Sequence, residues 1–325
     1  MSPTRPLVIV TRRLPAEVEE ALAVSFAVRC NPEDRQYHRA DLRAALLEAD
    51  GLLCTLTDPL DASVLSGGPF RAGILANFGV GTNHIALEAA RTAGLVVTNT
   101  PGALTDCTAD LAIALMLMVL RRLGEGERML RAGAWPGWHP THLLGRSVSG
   151  RTLGIVGFGR IGQAVARRAS RGLGMRVLAL AHRPLAAEVL LACGAEPVAG
   201  LDALLEQSDV ISLHLPLVDA TRHLIDAARL RRMRPDAVLI NTSRGEVVDE
   251  AALAEALHGG TLGGAGLDVY EQEPQVHPDL LTAPNTVLLP HLGSATLETR
   301  TAMGLRAVEN LRAFFRGEAP PDRVA

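Results

Sequence analysis

The chain has 325 residues, 48% hydrophobic and 21% charged, which is enough for two domains with full cores and ordinary for a soluble globular protein. Its 32 basic and 35 acidic residues leave a formal net charge of −3, which removes the usual electrostatic reason to expect nucleic acid or an anionic membrane as partner. The four cysteines, Cys30, Cys54, Cys107 and Cys193, stand far apart with no CxxC or Cys/His spacing, which argues against a disulfide framework or a metal site and suits a reducing compartment.

Taken in chain order, Met1–Pro6 runs straight into an apolar stretch without a signal-peptide core, and a cytoplasmic protein is expected. Short runs rich in β-branched residues then alternate with helical patterns, the mark of parallel α/β sheets. Strands are predicted at Leu7–Thr11, Gly51–Thr55, Gly73–Asn77 and Leu95–Thr98, with helices at Pro15–Ala23, Arg39–Glu48 and His84–Ala93. From Asp106 to Arg131 the pattern is helical for a long stretch, interrupted near Gly124 and Gly126, as for an inter-domain hinge or a subunit contact. Its apolar part, Leu111–Leu120, is too short to span a bilayer and reads as a buried helix. The alternation resumes with strands at Thr152–Val156, Arg176–Leu180, Asp209–Leu213, Ala237–Ile240, Gly264–Val269 and Thr286–Leu289. A final amphipathic helix, Leu297–Phe315, is expected to pack back on the first unit. The substrate domain would then be discontinuous, residues 1–101 and 291–325, with a cofactor domain, 102–290, inserted into it.

Directly after Thr152–Val156 stands Gly157-Phe158-Gly159-Arg160-Ile161-Gly162, followed by the helical Gln163–Arg168. Alone, a GxGxxG is a weak signal, and the dull alternative is a strand–helix turn that binds nothing. Between a strand and a helix, however, each glycine acquires a task. Gly157 permits the tight turn, Gly159 lets the backbone approach a pyrophosphate, and Gly162 lets the helix pack close to the strand. The helix start, at Arg160 and Ile161, adds free N–H groups and a positive dipole end. The turn is read as a dinucleotide site.

Ligands of open parallel sheets sit beyond the carboxyl ends of the strands. Three polar residues fall just after predicted strands: Arg244, Glu273 and His291. Singly, each has an ordinary explanation: a loop charge, a turn residue before proline, a capped loop histidine. Together they form an anion clamp, a carboxylate and an imidazole, the set that carbonyl reduction by hydride transfer requires.

The chain resembles the D-2-hydroxyacid dehydrogenase family over nearly its full length. The matching blocks are Asn77–His84, Gly157–Gly162, His214–Leu217 through Thr221, Asn241–Gly245, Gly266–Val269 through Pro274, and Pro290–Thr296. Leu104–Asp110, Trp135–Trp138 and His291–Thr296 carry a narrower likeness to the glyoxylate/hydroxypyruvate reductase branch. The resemblance implies two Rossmann-like parallel-sheet domains, the cofactor domain inserted into a flavodoxin-like substrate domain, and a homodimer. It implies that His291 is the general acid and base, that Glu273 orients it, and that Arg244 binds the substrate carboxylate and polarises the carbonyl. Backbone N–H groups at Val80 and Gly81 would hold the carboxylate's other side, and Leu56 would border the substrate. Asp268 would bond the nicotinamide amide, with Thr108, His214, Pro216, Thr221, Thr242, His291 and Gly293 also around the cofactor. The substrates implied are small 2-keto acids, glyoxylate and hydroxypyruvate, reduced to glycolate and D-glycerate. The alternatives are another member of the family, such as a 3-phosphoglycerate dehydrogenase, and a nucleotide-sensing corepressor that binds rather than turns over.

Enzymes of this fold that prefer NAD carry an acidic residue at the end of the second strand. Here that region reads Leu180-Ala181-His182-Arg183, with Ala181 at the acidic position. No carboxylate would repel a 2′-phosphate and Arg183 can pair with it, so NADP(H) is expected to be preferred and NAD(H) possible; the alternative is that Arg183 is a plain loop charge. Trp135 and Trp138 have an ordinary reading as packing residues. In the resembling branch this segment reaches the partner subunit's active site, which makes Trp138 a candidate for specificity.

Overall fold

A computed structural model describes residues 5–325. The chain forms two compact units, Met1–Leu104 with Ala295–Ala325, and Thr105–Ser294. Each is built on an all-parallel sheet with helices covering it.

In the first unit the strands are β1 (Leu7–Val10), β2 (Ala27–Arg29), β3 (Gly51–Thr55), β4 (Ile74–Phe78) and β5 (Val96–Thr98). They lie in the order β2-β1-β3-β4-β5, the flavodoxin-like order. The central strands are apolar along their length because both faces are covered. Leu52 and Leu75 pack with Leu42 and Leu46 of the helix Arg39–Glu48 on one face. Ile74 and Leu53 pack with Val18, Leu22, Ala307 and Leu311 on the other. The last two come from the C-terminal helix Leu297–Phe315. Its Arg312 donates to Ser25 Oγ at 2.9 Å and to the Ala21 carbonyl at 3.1 Å.

The second unit has β6 (Thr152–Val156), β7 (Arg176–Leu180), β8 (Ala195–Pro197), β9 (Val210–Leu213), β10 (Val238–Asn241), β11 (Gly264–Leu267) and β12 (Thr286–Leu288). Their order is β12-β11-β10-β9-β6-β7-β8. The direction of winding reverses between β6 and β9, the switch point at which such sheets open a crevice. The helix Thr105–Leu120 lies on one face, with Leu115, Met116 and Val119 buried among Ile155, Val238 and Ile240. Among the described residues no helix is long and apolar enough to cross a membrane.

Three expectations differ from what is observed. Two strands, β2 and β8, escaped the sequence reading because each is a three-residue edge strand bearing exposed positions, too short to show a period. The long helical stretch is two helices, Thr105–Leu120 and Leu123–Arg131, and the break lies not at Gly124 or Gly126 but at Arg122, whose φ is +53°. The helix expected over His84–Ala93 shrinks to Leu87–Thr92.

Candidate active site

The glycine turn follows β6. Gly157 has φ of +96°, the left-handed region, and a Cβ there would collide with the His214 carbonyl. A Cβ on Gly162 would collide with the Gly157 carbonyl, so the helix Arg160–Arg167 can approach the strand only without one. A Cβ on Gly159 would meet nothing within 4 Å. Glycine there keeps open the approach to the N–H groups at the start of the helix, at Arg160 and Ile161. Two strands away in the sheet, just after β10, the Thr242 hydroxyl is buried with no hydrogen-bond partner among the described residues. These features fit a dinucleotide.

His214 follows β9, its Nε2 lies 2.8 Å from Ser212 Oγ, and burial pushes its pKa down to about 4. The Thr221 hydroxyl closes the turn it sits in, donating to the Pro216 carbonyl at 2.8 Å and accepting from Val218 N–H at 2.9 Å. His182 and Arg183 lie exposed in the loop after β7.

The three reactive groups arrive on three adjacent strands. β10, β11 and β12 are neighbours in parallel register, with Asn241 beside Leu267 and Leu267 beside Leu288. Arg244 comes three residues after the first, Glu273 on the segment after the second, and His291 three after the third. His291 Nδ1 lies 2.8 Å from Glu273 Oε2. Burial alone would raise the Glu273 carboxyl. The hydrogen bond and charge of His291, the N–H of Tyr270 and the charge of Arg244 outweigh it and hold the group below its usual range. An ionised carboxylate only accepts, so Nδ1 carries the hydrogen and Nε2 is left to exchange a proton with a ligand. Burial lowers the pKa of the Arg244 guanidinium, against the charges of Glu273 and Glu246. The Arg244 carbonyl is pinned by Asn241 Nδ2 at 2.8 Å.

His291 itself has φ of +53°, an uncommon conformation for a non-glycine residue. Asp268 supports it. Its main-chain carbonyl accepts from His291 N–H at 2.9 Å, and its carboxylate accepts from Leu292 N–H at 2.6 Å and Gly293 N–H at 2.8 Å. The Thr108 hydroxyl completes the support by donating to the Gly293 carbonyl at 2.8 Å. Asp268 and Thr108, expected beside the cofactor, therefore also hold the loop that carries the imidazole. Burial pushes the Asp268 carboxyl up, opposed by those two N–H groups and the His291 charge.

The remaining residues are spread more widely. Leu56, Val80 and Gly81 belong to the first unit. The carbonyls of Gly79 and Gly81 accept from Asn77 Nδ2 at 3.1 and 2.9 Å, and that of Val80 from Asn99 Nδ2 at 2.9 Å, so the turn after β4 is held through its carbonyl side. Trp138 is 81% exposed and Trp135 51% exposed, so neither is a packing residue of this chain's core. Sequence reasoning missed Tyr270, Glu250 and Glu271, whose bonds brace the same strand ends. Nothing in their spacing marks them, because each acts on a backbone that only folding brings near.

Comparisons with known proteins point to one family. Residues 113–293 match the family described as D-isomer specific 2-hydroxyacid dehydrogenase, NAD binding domain. A glyoxylate reductase of Thermococcus litoralis is 44% identical over 326 residues, covering 98% of this chain and 97% of its own. The solved TT0316 protein of Thermus thermophilus is 43% identical, with a TM-score of 0.90 over 98% of this chain and 100% of its own. An NADPH-dependent glyoxylate/hydroxypyruvate reductase of Sinorhizobium meliloti, solved with NADP and malonate, is 36% identical with a TM-score of 0.87 over 99% of this chain and 97% of its own. With its glycine turn, two parallel sheets and strand-end Arg, Glu and His, this chain belongs to the D-isomer specific 2-hydroxyacid dehydrogenase family, on its glyoxylate reductase branch.

Proposed function

We propose that the protein reduces small 2-keto acids, glyoxylate and hydroxypyruvate, to glycolate and D-glycerate, with NADPH preferred over NADH. The observation that carries this reading is the 2.8 Å pairing of His291 Nδ1 with Glu273, on strand ends next to that of Arg244. The nicotinamide, when bound, supplies the hydride. Arg244 binds the carboxylate of the keto acid through its planar guanidinium and polarises the neighbouring carbonyl. His291 Nε2 delivers the proton to the keto oxygen, and Glu273 stabilises the ring that carries it. Val80 and Gly81 are assigned to the substrate carboxylate, Leu56 to the substrate's border, and Asp268 and Thr242 to the cofactor.

Replacing His291 by Ala is expected to lower kcat by about 10²-fold or more, the range of a lost acid–base group, while NADPH still quenches protein fluorescence on binding. Near-normal turnover in that variant would remove the assignment. The preference for NADPH rests on Ala181, which offers no carboxylate, and on exposed Arg183. The ratio of kcat/KM for the two cofactors tests it, and a clear preference for NADH would overturn it. Support for a homodimer comes from the exposed Leu123, Leu130, Trp135, Trp138 and Leu144, an unusual concentration of large apolar side chains within one segment. Light scattering that gave a monomer would remove both the dimer and Trp138's role in specificity.

A further inference from the structure

Two glutamates outside the reactive trio grip each other's backbone. Glu250 N–H donates to Glu271 Oε1 at 2.8 Å, and Glu271 N–H donates to Glu250 Oε1 at 2.7 Å. Glu250 opens the helix Glu250–His258, so Glu271 satisfies one of the N–H groups that every helix start leaves without an internal partner. Glu250 is 6% exposed, and burying its carboxylate this close to a second one is unfavourable unless hydrogen bonds repay it. The remaining oxygen of Glu271, Oε2, lies 3.0 Å from His223 Nε2, and His223 N–H donates to the Glu246 carbonyl at 2.7 Å.

The two residues lie on the two chain segments that carry Arg244 and Glu273. Glu250 ends the segment that begins at Arg244, and Glu271 lies two residues before Glu273. Between them, Gly245 presses so closely on the backbone of Tyr270 and Glu271 that a Cβ would run into it. Tyr270 N–H in turn donates to Glu273 Oε1 at 3.1 Å.

We propose that Glu250 and Glu271 are positioning residues, whose reciprocal carboxylate-to-backbone bonds hold the Arg244 segment and the Glu273 segment in register. The pair thereby sets the reach from the carboxylate-binding guanidinium to the acid–base pair. This rests on the keto-acid reading above. The tests are Glu271→Ala and Glu271→Gln, the second of which keeps an oxygen acceptor for Glu250 N–H. Glu271→Ala is expected to lower kcat/KM for glyoxylate by about 10- to 100-fold, the scale of an ångström misplacement at a reacting centre, with kcat and KM both moving. The Kd for NADPH is expected to stay within about twofold, and Glu271→Gln to restore most of the loss, because the interaction needs an acceptor and not a charge. A folded Glu271→Ala protein with wild-type kcat/KM would overturn the proposal, as would Glu271→Gln losing as much as Glu271→Ala. Should the alanine protein fail to accumulate, Glu271→Asp withdraws the carboxylate by one methylene and is expected to show the same loss; wild-type behaviour would again overturn the clamp. If the wild-type protein turned over no keto acid, the activity would be what had failed, and amide hydrogen exchange would decide the clamp separately. Exchange at Glu250 is expected to be slow in wild type and at least about tenfold faster in Glu271→Asp, and equal rates would overturn it.

Discussion

His291 is held by groups that never need to meet a substrate. A left-handed φ on a histidine persists only where its surroundings over-determine it, and here Asp268 does so with one main-chain and two side-chain acceptors. Asp268→Asn would turn one of those acceptors into an NH₂ group facing an N–H donor in a site that is 1% exposed. The expected cost is about 1–3 kcal/mol of stability together with a fall in kcat, read by urea unfolding and steady-state rates. A variant with unchanged unfolding midpoint and rate would show that the loop is held by other means. Asp268 was legible in the sequence only as a cofactor ligand by resemblance. Its bonds to Leu292 and Gly293 span more than 20 positions and are made by backbone, which carries no side-chain signature.

The C-terminal helix Leu297–Phe315 shows how one missing methyl sets a contact. Gly304 lies in mid-helix, where glycine costs about 1 kcal/mol relative to alanine. A Cβ there would collide with both Cγ atoms of Val18, and the β-branched side chain, buried in the helix Ala16–Ser25, has no free rotamer to give. Gly304→Ala is therefore expected to destabilise by up to about 2 kcal/mol despite the better propensity, since overpacking costs of about 1–3 kcal/mol offset or exceed the helical gain. A raised urea midpoint would mean that the two helices separate without loss. The amphipathic period of this helix was visible in the sequence, but the partner that dictates a glycine was not.

Taken across the fold, buried titratable groups tie stability to pH. His214 has its pKa pushed down to about 4 by burial, below the value near 6.5 of an unfolded chain. The unfolded chain therefore binds more protons between those values, so stability is complete above pH 6.5 and falls as the pH drops toward 4. At the full shift this is worth roughly 3 kcal/mol, an upper figure because part of the residue reaches solvent. Unfolding of the cofactor-free protein between pH 4.5 and 7.5 should show this slope, and His214→Asn should flatten it. An unchanged slope in that variant would assign the dependence elsewhere. Asp34 and Asp41, partly exposed and held at about 2 by Arg12 and Arg35, act more weakly and at a lower range: their contribution is present above pH 4 and is lost toward 2.

The alternation of apolar runs with helical periods was enough to assign a doubly wound α/β architecture, and the glycine turn was enough to propose a dinucleotide site. Both are local patterns, written within 20 residues or so, that physics reads without knowing the neighbours. Arg244, Glu273 and His291 could each be picked out as strand-end residues, and the resemblance supplied their roles. That Nδ1 of one meets Oε2 of another at 2.8 Å depends on β10, β11 and β12 lying side by side in register. The edge strands β2 and β8 and the Glu250–Glu271 clamp likewise needed the folded chain, because each is decided by hydrogen bonds between segments far apart in the chain. Side-chain chemistry is encoded one position at a time, whereas distances between side chains exist only once the sheet has closed.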